Sequence, residues 1–202
     1  MADRSQHAPE SRETIFESRD SSPEPESKRH KREPEPKNVV HLILENGLFD
    51  KELLESTPNL AQQVNTGGKR PGGIAKQMEA EYPCTKVRHD GGPKPALLGE
   101  VRIDITPELT KNHEPVRIWS IYGQLNGGGP GKENDSAADR EAYFEQGLDY
   151  ITTREPDLKS IAFPEGIGCG IGGGDWPTYQ KMIHKFARDM PGCTVYIVRL
   201  AA

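Results

Sequence analysis

The sequence predicts an α/β sandwich built around a largely parallel or mixed sheet. Three observations predict it. From Val39 onward, short apolar runs alternate with stretches of helical spacing. Prolines, glycines and a capping aspartate mark where those stretches begin and end. Glycine-rich turns follow two of the apolar runs, at the carboxyl ends of strands where ligands gather in such folds.

The elements follow in order. Residues 1–37 carry mixed charge and five prolines, with Ile15 and Phe16 as the large apolar residues. Such a segment buries too little surface to offset its ordering entropy, so a disordered tail is expected ahead of a domain over 38–202. Val39–Leu44 reads as a buried strand and Leu60–Val64 as a second. Ile74, Ala75, Met78 and Tyr82 recur at helical spacing over 73–82, and Pro83 stops that helix. A partly buried strand is expected over 97–105, another over 117–122, and a loop over the glycines of 127–131. A helix over 138–153 ends before Pro156, and a strand over 160–163 leads into the longest glycine cluster. Asp175 stands where it can cap a helix over 176–189, with Pro177 near its start. A strand over 194–198 closes the domain.

Composition narrows the function classes. No run approaches the roughly 20 apolar residues that cross a membrane, so no membrane partner is expected. The net charge is −5 over 202 residues, which argues against a surface that wraps nucleic acid. The exception is weak contact through the basic run Lys28–Arg32, which also reads as a nuclear import signal. A cytoplasmic or nuclear location is therefore expected, and Cys84, Cys169 and Cys193 read as reduced thiols. Their spacing, and that of the histidines, calls for no metal. His41 reads as a strand residue and His184 as a partly packed helix residue, while His89 and His113 fall in polar loops. No cofactor is expected.

Glycine carries an entropic cost, so three clusters in one small domain require a reason. Gly166, Gly168, Gly170, Gly172, Gly173 and Gly174 lie between a strand and a helix. There, backbone N–H groups and a helix N-terminus can converge on phosphate oxygens. Asn65, followed by Gly67, Gly68, Gly72 and Gly73, adds an amide able to bond a sugar hydroxyl pair. A flexible connector and a structural asparagine are the plainer alternatives. Neither a dinucleotide fingerprint nor a P-loop is present.

Taken in order, Ala61–Asn65, Gly72–Gln77, Leu98–Val101, Ile121–Gln124 and Gly166–Gly170 with Asp175-Trp176 resemble a macro domain over nearly all of 39–200. The branch most similar contains the yeast-type ADP-ribose 1″-phosphate phosphatases and their viral and phage relatives. The resemblance implies a three-layer α/β/α sandwich with a central mixed sheet, and ADP-ribose or a derivative as ligand. An ADP-ribosylated protein then becomes a further partner. By position, Asn65 resembles the asparagine beside the distal ribose, and Gly72 and Gly73 the first phosphate-facing loop. The second loop corresponds to Gly168, Cys169, Gly170, Ile171, Gly172, Gly173 and Gly174.

Two departures from the family pattern matter. The family places an aspartate for the adenine amine after the first strand, and Glu45-Asn46-Gly47 stands there instead, leaving Asn46 or Glu45 to take its place. The lysine and aspartate of the branch that removes ADP-ribose from glutamate correspond to Gly123 and Gly172, so that mechanism is not expected. Asn65, Gln124 and Asp175 instead resemble the phosphatase-like set. The leading expectation is hydrolysis of a distal-ribose ester such as ADP-ribose 1″-phosphate, with Asn65 holding the ribose and Asp175 activating water. A non-catalytic ADP-ribose reader, or a structural protein retaining the fold, are the alternatives.

Overall fold

A computed structural model describes residues 34–67, 71–88, 96–131 and 133–202. The basic run 28–32, the residues Gly68 to Arg70 and His89 lie outside the described residues, as does the tail up to Glu33.

Six strands form one sheet: β1 (Val39–Leu44), β2 (Asn59–Asn65), β3 (Val101–Leu109), β4 (Pro115–Gln124), β5 (Ser160–Pro164) and β6 (Thr194–Leu200). Their spatial order is β1-β6-β5-β2-β4-β3. All neighbours run parallel except β3, which returns antiparallel to β4 after a short turn. The helices are α1 (Lys51–Ser56), α2 (Gly73–Glu81), α3 (Ala137–Arg154) and α4 (Trp176–Asp189).

Each face of the sheet has its own core. Phe144, Leu148 and Ile151 of α3 and Tyr179, Ile183 and Phe186 of α4 pack on Ala61, Trp119, Ile121, Phe163 and Ile197. On the other face Leu48, Leu53, Met78 and Tyr82 cover Leu60, Ile118, Ala162 and Val198. The result is a three-layer α/β/α sandwich on a mixed sheet, as expected. The helix starts have local causes. Ser136 and Asp139 form a reciprocal capping box at α3, and the Asp175 carboxylate accepts from Thr178 N at α4.

Several expectations need correcting. β1 is an edge strand with one neighbour, and Val40, His41 and Ile43 are exposed rather than buried. An apolar run alone cannot distinguish a central strand from an edge one. β3 begins at Val101, not Leu97. Leu97–Glu100 is a turn with Gly99 at φ +77°, and the strand then continues to Leu109. The short helices over Gly47–Phe49 and Lys51–Ser56 went unassigned, because three to six residues are too few to display a helical period. Residues 34–37, ascribed by sequence to the tail, are described and lie against the domain. Val39 N donates to Pro36 O, and Glu35 meets His41 and His184.

Candidate ligand cavity

The carboxyl ends of β2, β5 and β6 open into a cavity of about 570 Å³, within the range typical of small-molecule sites. Its walls are two glycine loops. The first, Pro71-Gly72-Gly73, runs directly into α2, and Ile74 and Ala75 of the first helical turn also line the cavity. Gly72 occupies the cap position and offers the helix no side chain, so the first-turn N–H groups have no capping acceptor. A helix that starts this way presents partial positive charge to whatever occupies the cavity.

The second loop, after β5, divides its own backbone donors. The N–H groups of Cys169, Gly173 and Gly174 bond within the loop, to Gly166 O, Gly170 O and Gly168 O. Those of Gly168, Gly170, Ile171 and Gly172 have no partner among the described residues, and these four residues line the cavity, whereas Cys169, Gly173 and Gly174 do not. From Gly168 to Gly174 the loop thus folds on three of its N–H donors and leaves four unused on residues that line the cavity. Gly168 shows why side chains are missing here. At φ +73° a Cβ would sit 2.6 Å from the Tyr179 ring.

A buried ion pair fixes this loop from beneath. Arg140 of α3 grips Asp135 through two bonds of 2.8 and 2.7 Å, each side chain only 2% exposed. Its remaining donors reach the carbonyls of Gly128 at 2.7 Å, Gly129 at 3.0 Å and Gly172 at 2.8 Å. One guanidinium therefore ties the 127–131 loop to the cavity-facing Gly172. Burial pushes the Asp135 carboxyl upward, but Arg140 and the Leu125 N–H outweigh it and hold the group below the ordinary carboxylate range.

Asn65 ends β2 at the cavity floor, is 7% exposed, and its Oδ1 is buried without a hydrogen-bond partner. Gln124, beside it in register, accepts from Gln63 Nε2 at 3.1 Å and donates to Asn126 O at 3.0 Å. Phe49, Leu48, Val198 and Leu200 give the cavity an apolar side, with Asn46 adjacent in the chain and also lining it.

No protein-family model matches the sequence, and no curated protein sequence matches it. Solved structures do. The macrodomain of Mycobacterium tuberculosis DarG aligns with a TM-score of 0.58 and 23% identity, covering 79% of this chain and 98% of that one. The macrodomain of Thermus aquaticus DarG gives 0.55 and 22%, covering 79% and 96%. A Trypanosoma brucei macrodomain in complex with ADP-ribose gives 0.51 and 12%, covering 81% and 63%. The fold is that of a macrodomain.

On this macrodomain fold the cavity gathers Asn46, Asn65, Gly72, Gly73, Gln124, Gly168, Gly170, Ile171 and Gly172 of the residues expected from sequence. It leaves out Asp175. That carboxylate is turned to α4, where Oδ2 accepts from Thr178 N at 3.1 Å and Thr178 Oγ1 at 2.7 Å. Glu45 lies on a separate surface recess with Asp50 and Glu52. Burial, with Asp175 adding to it, pushes the Cys169 thiol up to about 11, so at neutral pH it is a protonated thiol and not a nucleophile. Gln124 lines the cavity, with one bond at each end of its amide holding the side chain in place. The sequence reading missed Gln63, Phe49, Asp135 and Arg140. The Asp135-Ser136 pair just before an apolar period was a visible helix-start signal, but the role of Arg140 depends on carbonyls brought in by folding.

Proposed function

We propose that this cavity binds ADP-ribose or a ligand carrying it, including an ADP-ribosylated protein. The diphosphate lies between the two glycine loops, the distal ribose at Asn65, and the base against Phe49 and Leu200 with Asn46 at its edge. The observation that carries this reading is the split in the second loop. From Gly168 to Gly174, the four residues whose N–H groups are not used in the loop's own bonds line the cavity, and the three whose N–H groups are used do not. Four such donors and the N-terminus of α2 on one cavity suit a diphosphate, which a net charge of −5 would otherwise repel. The unpartnered Asn65 Oδ1 supports a hydroxyl-bearing group beside it. The ADP-ribose complex among the similar structures supports the ligand class.

Titration calorimetry with ADP-ribose tests the proposal. Binding that Asn65→Ala weakens by roughly tenfold is expected, the value of one good hydrogen bond to a buried group. Absence of binding at millimolar ADP-ribose would remove it.

Hydrolysis of a distal-ribose ester, the activity of the phosphatase-like branch, needs a group that activates water. Asp175, assigned that task from sequence, is occupied as a cap outside the cavity lining, and the geometry supports binding more directly than turnover. Phosphate release from ADP-ribose 1″-phosphate separates the two. Turnover that Asp175→Asn lowers by about 10²-fold would restore the catalytic reading.

A further inference from the structure

Outside the cavity, three metal-binding side chains from distant parts of the chain meet at one point. Glu35 precedes the sheet, His41 is the third residue of the edge strand β1, and His184 lies mid-way along α4. Their ligand atoms all lie within 4.8 Å of one another. Glu35 Oε1 is 2.5 Å from His41 Nε2 and 3.5 Å from His184 Nε2, and the two rings stand edge to face, 6.4 Å between centroids. The meeting is a consequence of the fold. Val39, two residues before His41 on the same side of β1, packs on the core that α4 covers, and Asn38 donates to Ala187 O and Met190 O at the end of α4.

We propose that Glu35, His41 and His184 form a binding site for a divalent transition-metal ion of the zinc type, completed by water. Two imidazoles and one carboxylate select such ions over calcium or magnesium, which favour oxygen donors. Around a tetrahedral ion with bonds of about 2.0 Å, neighbouring ligand atoms stand roughly 3.3 Å apart. The present separations bracket that value, so small side-chain rotations bring all three onto one ion. His184 contributes the second observation. Its Nε2 is buried and has no hydrogen-bond partner, and it faces the carboxylate at a distance too long for a good bond. A metal ion gives that lone pair a partner. None of the three residues lines the ligand cavity, so the site acts as a clip that fastens the chain's entry point and the edge strand β1 to α4, independently of any ADP-ribose binding.

The test uses zinc(II) alone with the full chain, in competition with a chromophoric chelator, followed by cobalt(II) absorption spectra. One equivalent of zinc is expected, with a thermal midpoint raised by on the order of 4 °C at saturating metal. His41→Ala, at a side chain 44% exposed and therefore cheap to truncate, is expected to weaken zinc by more than about tenfold, and Glu35→Gln likewise. His113→Ala, at a loop histidine outside the cluster, leaves it unchanged. Equal zinc affinity in the parent and His41→Ala proteins, or a parent that binds no zinc, overturns the proposal. Metal-free melting curves of the variants, matching the parent, exclude loss of fold as the cause.

Discussion

The loop ahead of α2 and the loop ahead of α4 both present backbone donors to the cavity, but they are held in place differently. The first is short, and its donors come from the uncapped start of a nine-residue helix. The second spans about ten residues and is fixed three times over, by its own N–H bonds, by Tyr179 packed under Gly168, and by Arg140 on the Gly172 carbonyl. They touch where a Cβ on Gly72 would come 2.9 Å from Ile171 Cδ1. The difference teaches that a helix supplies oriented donors through its own hydrogen bonds, whereas an irregular loop needs support from outside to hold the same geometry. The second loop should therefore be the sensitive one.

The largest expected effect follows from its support. Arg140→Met strands a buried carboxylate and the carbonyls of Gly128, Gly129 and Gly172, and should cost about 3–5 kcal/mol in urea unfolding while also weakening ADP-ribose. Adding Asp135→Leu should recover much of the stability but not the affinity, since Gly172 remains unanchored. If the double variant binds ADP-ribose like the parent, the guanidinium does not position the loop.

The same pair makes the second loop sensitive to acid. Asp135 is held below its ordinary value of 3.8, so its stabilising contribution is complete above that value. It disappears as pH falls through the lower, folded-state value. Urea midpoints measured from pH 6 to pH 3 should fall in the parent more steeply than in Arg140→Met below about pH 4. Parallel curves would show that the pair is not the source.

Gly170→Val sharpens the comparison from the ligand's side. A Cβ at Gly170 meets nothing within 4 Å, so the fold should tolerate valine with little change in melting, while the branched chain fills cavity space. ADP-ribose affinity should drop by at least about 10²-fold, or roughly 2.7 kcal/mol. Gly168→Ala should do the reverse and lower the melting temperature, because a Cβ there meets the Tyr179 ring from a left-handed backbone. Equal behaviour of the two variants would mean the loop is not divided as described.

The smallest effect belongs to the first loop. At φ −130° Gly72 accepts a side chain, and its one close neighbour is the flexible end of Ile171. Gly72→Ala should change stability by less than about 0.5 kcal/mol and affinity only a few-fold, measured by melting and calorimetry. A loss as large as that of Gly170→Val would make the first loop equally constrained.

The sequence by itself determined the order of the six strands and the three longer helices, the cap at Asp175, and the two glycine loops. Each of these is set by residues within a few positions of one another: apolar period, N-cap side chain, or freedom of φ. It also placed Asn65 at a strand end beside those loops. The tertiary structure alone decided that β1 lies at the edge, which residues line the cavity, and that Arg140 supports Gly172 32 residues away. It likewise brought Glu35 and His41 to His184, across nearly 150 residues that carry no metal-binding spacing. Side-chain partners separated by that much chain are chosen by sheet order and helix packing, which local pattern does not encode. The free N–H groups of the second loop belong to the same class, since a glycine run shows where backbone can approach a ligand but not which donors the folded loop leaves unused.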